Sequence, residues 1–297
     1  MSPAERARVA GAQFALWFAV VLWAGSFPAT RIALASFSPE GLMAVRFTLA
    51  GILLAAWGVW KRVGWPPRED WLLLTLVGLI SGVAYQSAFN HGMQSVGSGP
   101  GAAVVDTAPI FTALLGTLFL REHTSVLGWI GILLGFAGVV LIAMEGGGEF
   151  RLEPGVLMLL AAAVFFAVNA VMQKPLLKRH GVNAISTWLM VGGSLPMLLF
   201  WPQALEAIPH ARPEAWWAIG FLAFFPAALG FILWTYALNV LPVTQVASSL
   251  YLLPPLAFLI GWGLLGEVPT VMEVAGTLLA LAGVALVQLP PLLRGRR

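Results

Sequence analysis

Apolar runs close to the length of a membrane span follow one another down the whole chain, interrupted only by Pro, Gly and short charged clusters. A helix of ~20 residues crosses the ~30 Å hydrocarbon layer of a bilayer. Of the 297 residues, 59% are hydrophobic and 10% charged, whereas a soluble domain carries about 25% charged residues. No soluble core takes in that imbalance, so the bilayer is the solvent. Each helix satisfies its own backbone in lipid, and these runs lack the alternation over about ten residues that a barrel strand requires. The expected fold class is an all-α membrane protein.

The breaks predict ten transmembrane helices. The first five cover about 12–35, 40–60, 70–92, 100–120 and 125–144. The second five cover about 154–174, 184–203, 214–239, 244–265 and 270–289. Glu145-Gly146-Gly147-Gly148-Glu149 is the natural midpoint, giving five-helix halves at 1–145 and 146–297 within one integrated membrane domain. Arg6 and Arg8 ahead of the first run, with Ala24-Gly25-Ser26 inside it, mimic a secretory leader, but the run continues to Ala35 and more spans follow, so it reads as a retained span.

Loop charge sets the expected orientation. With the N-terminus inside, one face holds Arg6, Arg8, Lys61, Arg62, Arg68, Arg121, Lys174, Lys178, Arg179, Arg294, Arg296 and Arg297, against Arg151 and Arg212 on the other. Positive residues stay cytoplasmic, so both termini are expected there. Trp57, Trp60, Trp65 and Trp71 at the inner edge, and Trp201, Trp216 and Trp217 at the outer, read as interfacial belts.

The net charge of +3 is spread over short loops and termini without a continuous basic stripe, which argues against nucleic acid as a partner. Zero cysteines exclude disulfides and thiolate metal sites. There is no His-Glu-x-x-His helix for zinc hydrolysis and no Walker signature for direct use of ATP. No cofactor is called for. A membrane-embedded enzyme, the rival class, would need a nucleophile with its base or a metal cluster, and three of the four histidines (His91, His123, His180 and His210) lie near loops.

Shifted by 145 residues, the halves align without gaps from span four onward: Ala102 with Ala247, Pro109 with Pro254, Gly116 with Gly261, Glu122 with Glu267 and Gly131 with Gly276. At a shift of 143, span one falls on span six, with Trp23 over Phe166, Ser26 over Asn169, Thr30 over Gln173 and Arg31 over Lys174. Five spans per half is an odd number, so the second half crosses the bilayer inverted relative to the first, an architecture of many secondary transporters.

Two five-helix units, each with a Pro, a small-residue face, Leu120-Arg121-Glu122 or Leu265-Gly266-Glu267, then a Gly-rich last helix, resemble the EamA-type transporters of the drug/metabolite superfamily. The resemblance runs from about Phe14 to Leu289, and within the family the chain looks most like bacterial aromatic amino acid exporters. Arg46 matches an arginine that such proteins carry early in the second span. The resemblance implies a transporter of small metabolites in a bacterial cytoplasmic membrane. Nothing in the sequence fixes an oligomeric state.

Helical spacing picks out the candidate substrate residues. Span one offers Trp23, Ser26 and Phe27; span three Tyr85, Gln86, Phe89, Asn90 and His91; span six Phe166 and Asn169; span eight Phe231 and Trp234. Spans four and nine add Asp106 and Tyr251 at equivalent positions. Polar and ionisable groups within spans face bundle interiors or wet cavities, so a central cavity with aromatic walls and amide hydrogen-bonding groups is expected. Asp106 could read a substrate amine, carry a coupled proton, or pair with His91 or Arg46. Arg46 leaves open an ion pair within the bundle or attraction of a substrate carboxylate. Arg31 and Lys174 are expected to snorkel to water, Glu122 and Glu267 to make structural helix-end contacts, Gly131 and Gly135 to allow close packing, and the Gly97 to Gly101 link to be an outer hinge.

The expected function is secondary transport of an amphipathic solute by alternating access, with export of aromatic or hydrophobic amino acids favoured. A broad drug exporter is the alternative within the same class.

Overall fold

The computed structural model describes residues 2–96, 98–144, 154–253, 255–256, 259–260 and 271–294. Expectations resting on Gly97, Gly146 to Gly148, Pro254, Gly261 and Glu267 lie outside the described residues. Everything regular among the described residues is helix, and no strand is present there.

Five helical stretches are long and apolar enough to cross a membrane: α1 (Pro3–Leu34), α2 (Pro39–Trp60), α3 (Arg68–Ser95), a run over Pro154–His210, and α8 (Pro213–Val240). The other helices are α4 (Ser98–Val105), α5 (Ala108–Leu120), α6 (Val126–Met144), α9 (Val243–Ser248) and α10 (Val271–Arg294), and α7 (Pro154–Ser194) opens the long run. That run of 57 residues would be about 85 Å long at ~1.5 Å per residue, far more than ~30 Å of hydrocarbon. It doubles back at Gly181, whose φ of 77° interrupts α7. The turn falls between the two spans expected at this place.

Local sequence explains the starts. Ser2 and Glu5 close a capping box ahead of α1, with Pro3 in its first turn. The Ser38 hydroxyl accepts from the Gly41 N–H at 3.1 Å ahead of α2. Two departures carry no signal in the hydropathy pattern. Leu79–Ala84 in α3 and Ala223–Gly230 in α8 are π-helical. The first, moved by the repeat shift of 145, falls at 224–229, inside the second.

The two halves interlock. The α1 face meets α8, with Trp23 against Trp234. The leg of α7 before Gly181 runs along α3, with Gly155 beside Ser95 and Phe166 beside Tyr85. The leg after Gly181 runs antiparallel to α2: Thr187 touches Gly58, Ser194 touches Gly51, and Ala204 touches Gly41. Helices α5 and α9 meet, and α6 packs on α10 with Gly131 and Gly135 against Gly283. At Gly131 a Cβ would lie 2.7 Å from the Gly283 carbonyl oxygen, so backbone packs on backbone there, the close approach that small residues permit.

Candidate functional site

The cavity lies where α1, α2, α3, α7 and α8 converge, and it holds about 1040 Å³ of space between atoms, counting the part open to solvent. Aromatic rings build one wall. Trp23 stands 4.8 Å from Trp234 and 6.0 Å from Phe166, centroid to centroid. Phe166 is 5.3 Å from Trp234 and 5.9 Å from Tyr85, and Tyr85 stacks on Phe89 at 5.9 Å, which meets Phe27 at 5.6 Å. Successive turns of α1 and α3 supply Trp23 and Phe27, and Tyr85 and Phe89, by the helical spacing read in the sequence, while Phe166 comes from α7 and Trp234 from α8.

The π segments shape the same wall. The Trp23 indole N–H donates to the Pro226 carbonyl at 3.0 Å, and both π segments contribute to the cavity lining, Pro226 and Ala227 from one and Ser81 and Gly82 from the other. A Cβ on Gly230 would come within 2.9 Å of Trp23 Nε1, so a glycine there lets the indole sit flush against α8. Position-specific π turns are frequent at functional sites.

Polar groups are few. The Ser26 hydroxyl donates to the Trp23 carbonyl at 2.6 Å, and Asn169 Oδ1 accepts from Gln173 Nε2 at 2.9 Å. Gln86 lines the cavity with its Oε1 buried and unpartnered. Arg46 also lines it, 6% exposed, with its guanidinium carbon 5.4 Å from the Phe47 ring centroid. Among the described residues no acidic side chain pairs with Arg46 and none lines the cavity. A buried cation without a counter-ion is costly.

Of the sequence-derived candidates, Trp23, Ser26, Phe27, Tyr85, Gln86, Phe89, Phe166, Asn169, Phe231 and Trp234 line this cavity. Asn90, His91, Asp106 and Tyr251 do not. Asn90 is fully buried and donates Nδ2 to the Pro39 carbonyl at 3.4 Å. His91 pairs with Glu40 at 2.9 Å through Nε2, with Nδ1 2.9 Å from the Ser87 carbonyl, so of the three roles open to Asp106 the pairing with His91 is taken by Glu40. Asp106 is fully buried at the break between α4 and α5, and neither carboxylate oxygen has a hydrogen-bond partner among the described residues. Tyr251 is fully buried against Gly135 with its hydroxyl unpartnered.

Lys174 corrects another expectation. It does not snorkel: it is buried and its ammonium donates to the Leu238 carbonyl at 2.7 Å and to the Leu241 carbonyl at the end of α8. The helix C-terminus offers carbonyls with a partial negative charge that hold the ammonium inside. Glu122 accepts from the Val243 and Thr244 N–H groups at 3.0 and 3.4 Å, at the start of α9, which is the structural contact expected of it. Residues outside the candidate set that line the cavity are Val105, Met190, Gly193, Leu250 and Leu253, among others. Apolar side chains inside apolar spans carry no sequence signal that separates them from lipid-facing ones.

Comparison with known proteins gives this arrangement a context. The model of the EamA-like transporter family matches residues 11–144 and again 153–289. The probable terminal-alkyne amino-acid exporter of Streptantibioticus cattleyicolor is 32% identical over 280 residues, covering 94% of each chain. The uncharacterized transporter YdfC of Bacillus subtilis is 31% identical, with 89% of this chain and 86% of that one covered. The uncharacterized inner membrane transporter YedA of Escherichia coli K12 is 29% identical, with 89% and 85% covered. A solved crystal structure shares the fold with a TM-score of 0.76 at 22% identity, covering 94% of this chain and 98% of that one. The chain belongs to the EamA-like transporter family of the drug/metabolite transporter superfamily.

Proposed function

We propose that this transporter carries a small amphipathic carboxylate, foremost an aromatic or hydrophobic amino acid, out of the cell by alternating access through the central cavity. The observation that carries this reading is Arg46: a guanidinium on an otherwise aromatic wall, with no acidic partner among the described residues. Guanidinium forks match carboxylates in geometry. Trp23, Phe166 and Trp234 give the apolar end of the solute π faces to pack on, and Ser26, Phe27, Tyr85, Phe89, Asn169 and Phe231 complete the binding wall. A cavity whose charged lining group is a cation repels cationic drugs, which argues against the broad drug exporter.

The ten-span, inverted-repeat arrangement belongs to the same proposal. Its support is the way the halves meet: α1 packs on α8 as α3 packs on the first leg of α7, while α2 meets the second leg, α5 meets α9, and α6 meets α10. Exchanging the halves maps this pattern onto itself. The repeated family match and the relative named as an amino-acid exporter agree with it. The natural location is a bacterial inner membrane with both termini in the cytoplasm, driven by a proton gradient or by the solute's own gradient.

Reconstitution into liposomes with labelled solutes tests this. Efflux of aromatic or branched amino acids is expected, with Arg46→Ala raising KM by about tenfold or more, the loss of one charge-assisted pair. Arg46→Lys should recover part of it. Flux that is indifferent to Arg46, or restricted to cations, would defeat the proposal.

A further inference from the structure

A carboxylate on Arg46 leaves the ammonium of an amino acid without a partner, and one lining side chain matches it. Gln86 faces the cavity, is 8% exposed, and holds its Oε1 buried without a donor. Most buried polar side-chain atoms have a partner, and an exception invites an explanation. The other lining amide oxygen, Asn169 Oδ1, is already engaged by Gln173. The Ser26 and Ser81 hydroxyls donate to the carbonyls of Trp23 and Gly78. Asp106 does not substitute, because Val105 faces the cavity while the fully buried Asp106 lies outside its lining.

Register puts Gln86 near the depth of Arg46. Antiparallel α2 and α3 are pinned by Asn90 on Pro39 and His91 on Glu40. Six residues along α2 from Glu40 is Arg46, and five residues back along α3 from His91 is Gln86. Counted from Pro39 and Asn90 the steps are seven and four, so at ~1.5 Å per residue the two positions lie within about one helical turn of the same depth. Tyr85 and Phe89, stacked on each other, offer ring faces that also attract a cation.

We propose that the Gln86 amide oxygen accepts the ammonium of an α-amino acid whose carboxylate sits on Arg46, so that the cavity selects α-amino acids over simple carboxylic acids. This assignment rests on the carboxylate reading above, and the experiment separates the two. Binding to the purified full chain is measured by calorimetry for L-phenylalanine against 3-phenylpropionate, and for L-leucine against 4-methylpentanoate. Wild type is expected to prefer each amino acid by about tenfold, the worth of one hydrogen bond to a charged group. Gln86→Leu should bring that ratio close to one, and Gln86→Glu should raise it above wild type. An unchanged ratio in Gln86→Leu, or no rise in Gln86→Glu should the first variant misfold, overturns the ammonium site. A wild-type ratio of one also overturns it, with the carboxylate reading intact. Failure of wild type to bind either pair overturns the carboxylate reading and this assignment together.

Discussion

Asp106 is the residue whose surroundings say most about what polarity in a span means. Both its oxygens are buried and unpartnered, as is the Tyr251 hydroxyl at the equivalent place in the second half. Replacing an unsatisfied buried polar group with an apolar one of similar shape is neutral or stabilising. Asp106→Leu is therefore expected to raise the melting temperature in detergent, and Asp106→Asn to leave it nearly unchanged; a drop of several degrees in both would reveal a partner. The cavity itself is lined by the residues just before these, Val105 and Leu250. One helical step turns a side chain by about 100°, so reading polar residues as lining ones missed by a single position there, and did the same at Asn90, next to the lining Phe89. Where rings recur along one face, as with Trp23 and Phe27 or Tyr85 and Phe89, spacing was enough. Arg46 was legible as a residue out of place in a span; its lack of a counter-ion was not, because partners come from other helices.

At the scale of elements, the turn between α8 and α9 is held from both sides. Lys174 binds the last carbonyls of α8, and Glu122 binds the first N–H groups of α9. Each charge opposes the partial charge of the helix end it touches. Lys174→Met and Glu122→Gln should each cost about 1–3 kcal/mol of stability, the range for hydrogen bonds to charged groups, read as lowered thermal midpoints. Equal midpoints in wild type and both variants would make the contacts incidental. Contact between α6 and α10 has a different dependence. A Cβ on Gly283 would collide with the Gly135 backbone, and Gly283→Ala is expected to destabilise by about 1–3 kcal/mol as overpacking does, which denaturation in mixed micelles would register. Span boundaries in the apolar pattern came close to the helices, and the fold-back at Gly181 falls in a break the pattern marks, whereas the π turns did not show, since a shift of one hydrogen bond leaves hydropathy untouched.

Across the whole molecule, the halves are tied differently at their two ends. Asp70, 1% exposed, accepts from Arg179 and His180, and the Trp188 indole N–H donates to the Gly64 carbonyl at 2.9 Å. At the opposite end Phe37 meets Trp216 at 5.5 Å and the Arg212 N–H reaches the Ser36 hydroxyl at 3.4 Å. Under the alternating access proposed above, opening toward the Asp70 end would break an ion-pair cluster, and opening toward the other end would separate a pair of rings. Asp70→Asn should therefore shift the population toward opening at its own end. The chain has no cysteine, so Gln173→Cys supplies a lone thiol below Asn169, and faster maleimide labelling in the Asp70→Asn background is the expected result. An unchanged labelling rate would mean that the cluster does not restrain that end.

The paired π turns bear on ancestry. Each holds one more residue per turn than the α-helix around it, and the pair sits at matching places in two halves that the same family model recognises separately. A single insertion before the duplication accounts for both, without two later events converging on one position. On that account the unit that was doubled already carried the π turn, and any relative built from a single copy of that unit should carry it too.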